Sequence, residues 1–123
     1  MSYQIELLNK GHALLVRTGE SVSMDEFTEI NEKILSYSRQ ASGTFHLIAD
    51  MMATREHPSD VAKFKDAVHW TNEPNIGWVI YLSKNQNLNR LVDSAMDGQT
   101  YLVLDNLKSA LSIIALDSGI TAA

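Results

Sequence analysis

Short apolar runs of strand length alternate along this chain with stretches whose apolar residues recur at helical spacing, and that alternation is what most limits its fold. Repeated strand-to-helix units are satisfied by a mostly parallel sheet joined by right-handed crossovers. The clearest instance is Phe45-His46-Leu47-Ile48-Ala49-Asp50 leading into Met51-Met52-Ala53-Thr54-Arg55-Glu56-His57-Pro58-Ser59-Asp60, which reads as buried strand, loop and helix start. Strand carboxyl ends and helix amino ends meet at such loops, so ligands and modifications collect there.

The remaining elements follow the same logic. Residues 3–8 and 12–17 are β-type runs around Asn9-Lys10-Gly11, where glycine supplies the left-handed position of a tight hairpin connection. Ser23 with Glu26 three residues later forms a capping box, and Phe27, Ile30, Ile34 and Leu35 continue the helix to a stop at Ser42-Gly43. After the strand at 45–50, Pro58 or Ser59 opens a helix with Val61, Phe64 and Val68 inward, broken at Asn72-Glu73-Pro74-Asn75. Ile76-Gly77-Trp78-Val79-Ile80-Tyr81-Leu82 favours a buried strand. Leu88, Leu91, Val92, Ala95 and Met96 mark a third helix closed by Gly98, and 101–104 is the last strand. Asp105 or Asn106 then caps a helix bearing Leu107, Ala110, Leu111 and Ile114. The expected class is α/β: a single-layer, mixed, five-stranded sheet with an N-terminal hairpin, then strand-helix crossovers with helices mainly on one face.

Composition narrows the function classes. A length of 123 residues with 45% hydrophobic content suits one domain and one core, placed at 1–117 with a frayed tail at 118–123. A formal charge of -5 gives no overall attraction for phosphate backbones, so no nucleic-acid partner is expected. Zero cysteines exclude disulfides, thiolate ligands and a cysteine nucleophile. No apolar run approaches the roughly 18 residues that span a bilayer, and the first residues lack the basic and apolar segments of a secretory signal. The expected location is cytoplasmic, with no integral membrane segment.

No catalytic constellation is present. There is no Gly-x-Ser-x-Gly elbow, no glycine-rich dinucleotide fingerprint and no P-loop. The adjacent Asp25 and Glu26 belong to a first helical turn, where they complement the dipole. Among His12, His46, His57 and His69 no pair has the i, i+4 spacing of a helical zinc site, so neither metal nor cofactor is expected. Asp50, Ser83 and Asp105 fall near strand carboxyl ends, and Lys84, Asn85, Asn87 and Arg90 follow Ser83. These groups ring one sheet edge, with Lys84 or Arg90 as charge for a small anionic ligand and Asn85 or Asn87 as a helix cap. Arg55, His57 and Ser59 complete the partner or ligand loops. Lys63, Lys65, Asp66 and His69 border the second helix's apolar stripe as a solvated face.

The element order, with His46-Leu47-Ile48-Ala49-Asp50, Asn75-Ile76-Gly77-Trp78-Val79-Ile80 and Asp105-Asn106-Leu107-Lys108-Ser109-Ala110-Leu111, resembles the STAS-like group, relatives of the sulfate transporter and anti-sigma-factor antagonist domain. The resemblance extends roughly from Tyr3 to Leu116. It implies a mixed sheet, an N-terminal strand antiparallel to its neighbour and helices mainly on one side. Regulatory members carry Asp-Ser-Ser-Gly after the central strand, where a partner kinase phosphorylates a serine. The corresponding stretch here is Pro58-Ser59-Asp60-Val61, which lacks that tetrapeptide but places Ser59 near the modified position. Comparison of some relatives with lipid-carrier domains implies apolar-ligand binding as an alternative.

Two further expectations concern faces. Strand alternation assigns Phe45, Leu47, Trp78, Ile80, Leu82, Leu102 and Leu104 to the helix side. It leaves His46, Ile48, Val79, Tyr81, Tyr101 and Val103 opposite. His46, Val79, Tyr81 and Tyr101 then form a homodimer face, unless the hairpin and terminal segments cover it. The leading function is a non-enzymatic regulatory or protein-interaction domain acting around the start of the second helix. The alternative is a carrier or sensor of a small apolar or amphipathic ligand in a pocket bordered by Trp78, Phe64 and Met51.

Overall fold

The computed structural model describes residues 3–118. It holds a five-stranded mixed sheet in the order β1-β2-β3-β4-β5, formed by Tyr3–Leu8, Ala13–Thr18, Phe45–Asp50, Ile76–Leu82 and Leu102–Leu104. β1 pairs antiparallel with β2, and every later pairing is parallel. Four helices accompany the sheet: α1 (Met24–Gln40), α2 (Val61–Ala67), α3 (Gln86–Ala95) and α4 (Leu107–Ser118). The α/β class and the single mixed layer are as expected. Of the tail placed at 118–123, only Ser118 is described, as the end of α4; the rest lies outside the described residues.

Local chemistry accounts for the element limits. The hairpin turns through Lys10 (φ 57°) and Gly11 (φ 93°), and the second of these is the left-handed position for which glycine carries no steric penalty. Ser23 and Glu26 make the reciprocal capping box of α1. α2 is capped by Asp60, whose side chain accepts from the Lys63 amide, so the helix opens after Pro58 and Ser59. It ends at Ala67 because the chain tightens into a 3-10 turn, His69–Asn72, that carries Trp70 into the core. Trp70 Nε1 donates to Asn31 Oδ1 at 2.6 Å, and Asn31 Nδ2 donates to the Phe27 carbonyl at 2.8 Å. A buried indole is thereby satisfied by a buried amide.

Two apolar layers cover the sheet. β2 to β5 run in sequence order, so right-handed crossovers place α1, α2 and α3 on one face. There Leu14, Val16, Phe45, Leu47, Val79 and Tyr81 meet Phe27, Ile30, Ile34, Phe64, Leu88 and Val92. The Phe27 and Phe64 rings, 4.3 Å apart, join α1 to α2. α4 follows the last strand and is no crossover, so the handedness rule does not bind it. It lies on the other face, where Ala110 and Ile114 cover Leu15, Ile48, Ile80 and Leu82.

The proposed dimer face is therefore corrected. Val79 (1% exposed) and Tyr81 (3%) belong to the core beneath α1, α2 and α3, and burial pushes the Tyr81 phenol up in pKa. Tyr101 packs against the same layer and donates to Asp93 at 2.6 Å, a bond that pushes its pKa up to about 12. His46 is buried at 1% exposure. The cause is a register shift: Phe45 opposes Ile76 but Leu47 opposes Val79, so Gly77 and Trp78 together face His46. One extra residue in β4 moves Val79 and Tyr81 onto the Leu47 face and sends Trp78, Ile80 and Leu82 to the α4 face. β5 inherits that phase through the Tyr81-Val103 and Leu82-Leu104 pairs.

The bulge frees the Trp78 amide from the strand ladder, and it donates instead to His46 Nδ1 at 2.8 Å. A Cβ on Gly77 would lie 2.5 Å from the His46 ring and 2.7 Å from Thr44 Cγ2, so only glycine fits. Gly77→Ala is expected to cost about 1–3 kcal/mol in urea denaturation. Combining it with His46→Ala should cost less than the two single losses added, because the imidazole part of the clash requires both side chains while the Thr44 part remains.

Candidate functional site

Parallel pairing brings the carboxyl ends of β2, β3, β4 and β5 and the caps of all four helices to one rim of the sheet. Its most elaborate part is the β3–α2 loop, 51–60, stitched to the β2–α1 loop. The Arg55 and Glu56 amides both donate to the Glu20 carbonyl, at 2.8 and 3.1 Å, and the Val22 amide donates to the Glu56 carbonyl at 2.9 Å. Beneath them Thr54 Oγ1 donates to the Gly19 carbonyl at 2.7 Å. The 2.6 Å contact between Thr54 Oγ1 and Thr18 Oγ1 then has Thr18 as donor, since each hydroxyl carries one proton. Both threonines are buried.

Most of the expected site residues serve this architecture. Asp50 Oδ1 accepts from the Met52 amide at 3.1 Å, and its Oδ2 lies 3.7 Å from Arg17 Nε. Arg55 is exposed and reaches Glu20 at 3.9 Å, a surface pair that contributes little. His57 Nδ1 sits 2.9 Å from the Pro58 carbonyl, half-buried. Ser83 is buried and its Oγ accepts from the Asn85 amide at 3.1 Å. Asn85 is the α3 cap and accepts from the Asn87 and Leu88 amides, which settles the choice between Asn85 and Asn87. Asn106 caps α4 by accepting from the Ser109 amide at 2.8 Å, and Asp105 accepts from the Asn106 side chain. Lys84, Asn87 and Arg90 are exposed.

Ser59 is exposed one position before the Asp60 cap. It is not the capping serine of α2. Two exposed apolar side chains of this segment were not singled out by the sequence pattern: Met52 in the loop and Val61 at the start of α2, each 40% exposed. Helical spacing points Val61 inward, but a helix starting after Asp60 turns its first residue to solvent. No composition signal marks Met52, because the neighbouring Met51 is of the same type and buried at 3% exposure.

The expected apolar-ligand pocket is not assembled. Met51 and Phe64 belong to the core under α1, α2 and α3, while Trp78 packs with the layer beneath α4. The sheet separates them. A groove of about 400 Å³ opens between α1 and α2, lined by Met24, Thr28, Glu32, Lys63, Asp66 and His69. Among the described residues no group of three or more His, Asp or Glu side chains is placed to hold a metal ion. Nor is any helix among them long and apolar enough to cross a membrane.

Comparison with protein-family models, with curated proteins and with solved structures finds no match in any of the three.

Thr54→Val removes the hydroxyl that joins the two rim loops and leaves the Gly19 carbonyl and Thr18 hydroxyl without it. The expected cost is about 1–3 kcal/mol, with faster amide hydrogen exchange at Arg55 and Glu56 than at the β3 core.

Proposed function

We propose that this chain is a non-enzymatic protein-interaction domain of STAS-like type that engages a partner through the β3–α2 rim. The observation that carries the reading is the contrast within that loop. Residues 54–56 are tied to the β2–α1 loop by the backbone and threonine bonds, while Met52 and Ser59 on either side of them, and Val61 at the start of α2, face solvent. Exposed apolar side chains on a pinned loop bind with little ordering cost, which is how a small patch supplies useful affinity. The α1–α2 groove beside Lys63 adds mixed-charge surface at its border.

Ser59 fits this reading as the switch position implied by the resemblance, with its sign worked out from the cap. A phosphoryl group there would stand beside the Asp60 carboxylate that already satisfies the Lys63 amide. Like charge in that position opposes the α2 start, two residues before exposed Val61. Phosphorylation of Ser59 therefore acts against docking in this proposal.

The test is quantitative affinity capture from the source cells with tagged wild type and a Met52→Glu/Val61→Glu variant, alongside native mass spectrometry. A partner recovered by wild type and reduced tenfold or more by the variant is expected, with unfolding midpoints nearly equal because both sites are exposed. Equal recovery by both proteins, or a co-purified lipid-like mass filling the wild-type protein, would overturn the rim reading.

A further inference from the structure

The two edges of the sheet differ. β5 ends one side with only 3 residues, a short edge of the kind that resists pairing. β1 ends the other with 6 residues, Tyr3 to Leu8, without proline or bulge, and among the described residues nothing pairs with its outer side. Leu7 on this strand is 50% exposed, the highest value among the described large hydrophobics that face solvent. A groove of about 420 Å³, lined in part by Tyr3, Ile5, Lys33 and Tyr37, runs between the strand and α1.

The strand is also held ready. Tyr3 Oη donates to Glu29, Lys33 Nζ donates to Tyr3 Oη at 2.8 Å, and Lys33 lies 3.3 Å from Glu29. The ammonium stands 5.1 Å from the Tyr3 ring centre. These contacts fix the start of β1 against α1 and leave its backbone edge free.

We infer that β1 pairs with β1 of a second copy, antiparallel about a two-fold axis through Ile5, to make one continuous sheet across a homodimer. The argument is self-complementarity. A two-fold axis perpendicular to the sheet keeps each side chain on its own face, so only residues of equal parity come opposite each other. With Ile5 on the axis, Tyr3 meets the second copy's Leu7 and Gln4 meets its Glu6. Exposed Leu7 thereby comes beside the strand position of Tyr3, itself only 7% exposed, at the α1 groove, and an amide meets a carboxylate. An axis through Glu6 would set like charges against each other, which costs energy in a cross-strand pair. The surface lies at the sheet edge, apart from the β3–α2 rim, so the dimer and the partner reading stand or fall separately.

The natural chain has no cysteine, which makes single introduced cysteines clean probes. Sedimentation across a concentration series should give a monomer–dimer equilibrium, and oxidation should cross-link Ile5→Cys as a dimer but not Gln4→Cys or Glu6→Cys. Gln4→Glu should raise the dissociation constant about tenfold, because symmetry makes the like-charge contact twice. Gln4→Glu/Glu6→Lys should restore it. Leu7→Lys, at an exposed site, should weaken dimerisation without lowering the unfolding midpoint measured at concentrations where the wild type is monomeric. A strict monomer at every concentration overturns the inference. So does a dimer indifferent to Leu7→Lys, or one in which Gln4→Cys or Glu6→Cys cross-links in place of Ile5→Cys.

Discussion

The hydrogen bond from the Trp78 amide to the His46 imidazole holds the arrangement on which both apolar layers depend. Buried amides need acceptors, and the extra residue in β4 leaves this one outside the regular ladder. Accepting it requires Nδ1 to be unprotonated and the ring to lie against the backbone, which is possible because Gly77 has no side chain there. Shifting β4 by one position would turn Val79 and Tyr81 away from α1 and expose Leu82 to the wrong layer. One amide, one imidazole and one glycine thus set the phase of β4 and β5 against everything packed on them.

That phase separates two kinds of surface. Beneath α1, α2 and α3 the core closes around Phe27, Phe64, Trp70 and Tyr81, with Asn31 satisfying the indole, and the opposite layer closes under α4. Among the described residues, helices pack on both faces of the sheet. What remains available is peripheral: the rim where loops join strands to helices, and the outer side of β1. The rim carries apolar side chains on a hydrogen-bonded loop, whereas the strand edge offers main-chain groups with a self-complementary order of side chains.

Much of the architecture was legible in the chain because it rests on local chemistry. Ser23 and Glu26 cap α1 as their spacing required, Asn85 caps α3, Gly11 takes the left-handed turn position, and the limits of β3 and β4 follow the apolar runs. α2 starts after Asp60: Ser59 and Asp60 are both good cap types, and it is Asp60 whose side chain accepts from the Lys63 amide. Trp70 went unassigned because a 3-10 turn has neither the helical nor the strand period. The site was legible as a location: Asp50, Ser83 and Asn85 do gather on one rim, though their polar atoms are spent on turns and caps.

The amino-acid sequence by itself determined the element order, the hairpin, the crossovers and the capping box of α1, because these depend on neighbours a few residues away and on a handedness common to L-amino acids. Only the tertiary structure decided which side of β4 faces which layer, and therefore that His46, Val79, Tyr81 and Tyr101 are not an open surface. A single-residue shift between paired strands reverses every side chain beyond it, and that shift is stabilised by contacts between residues distant in the chain.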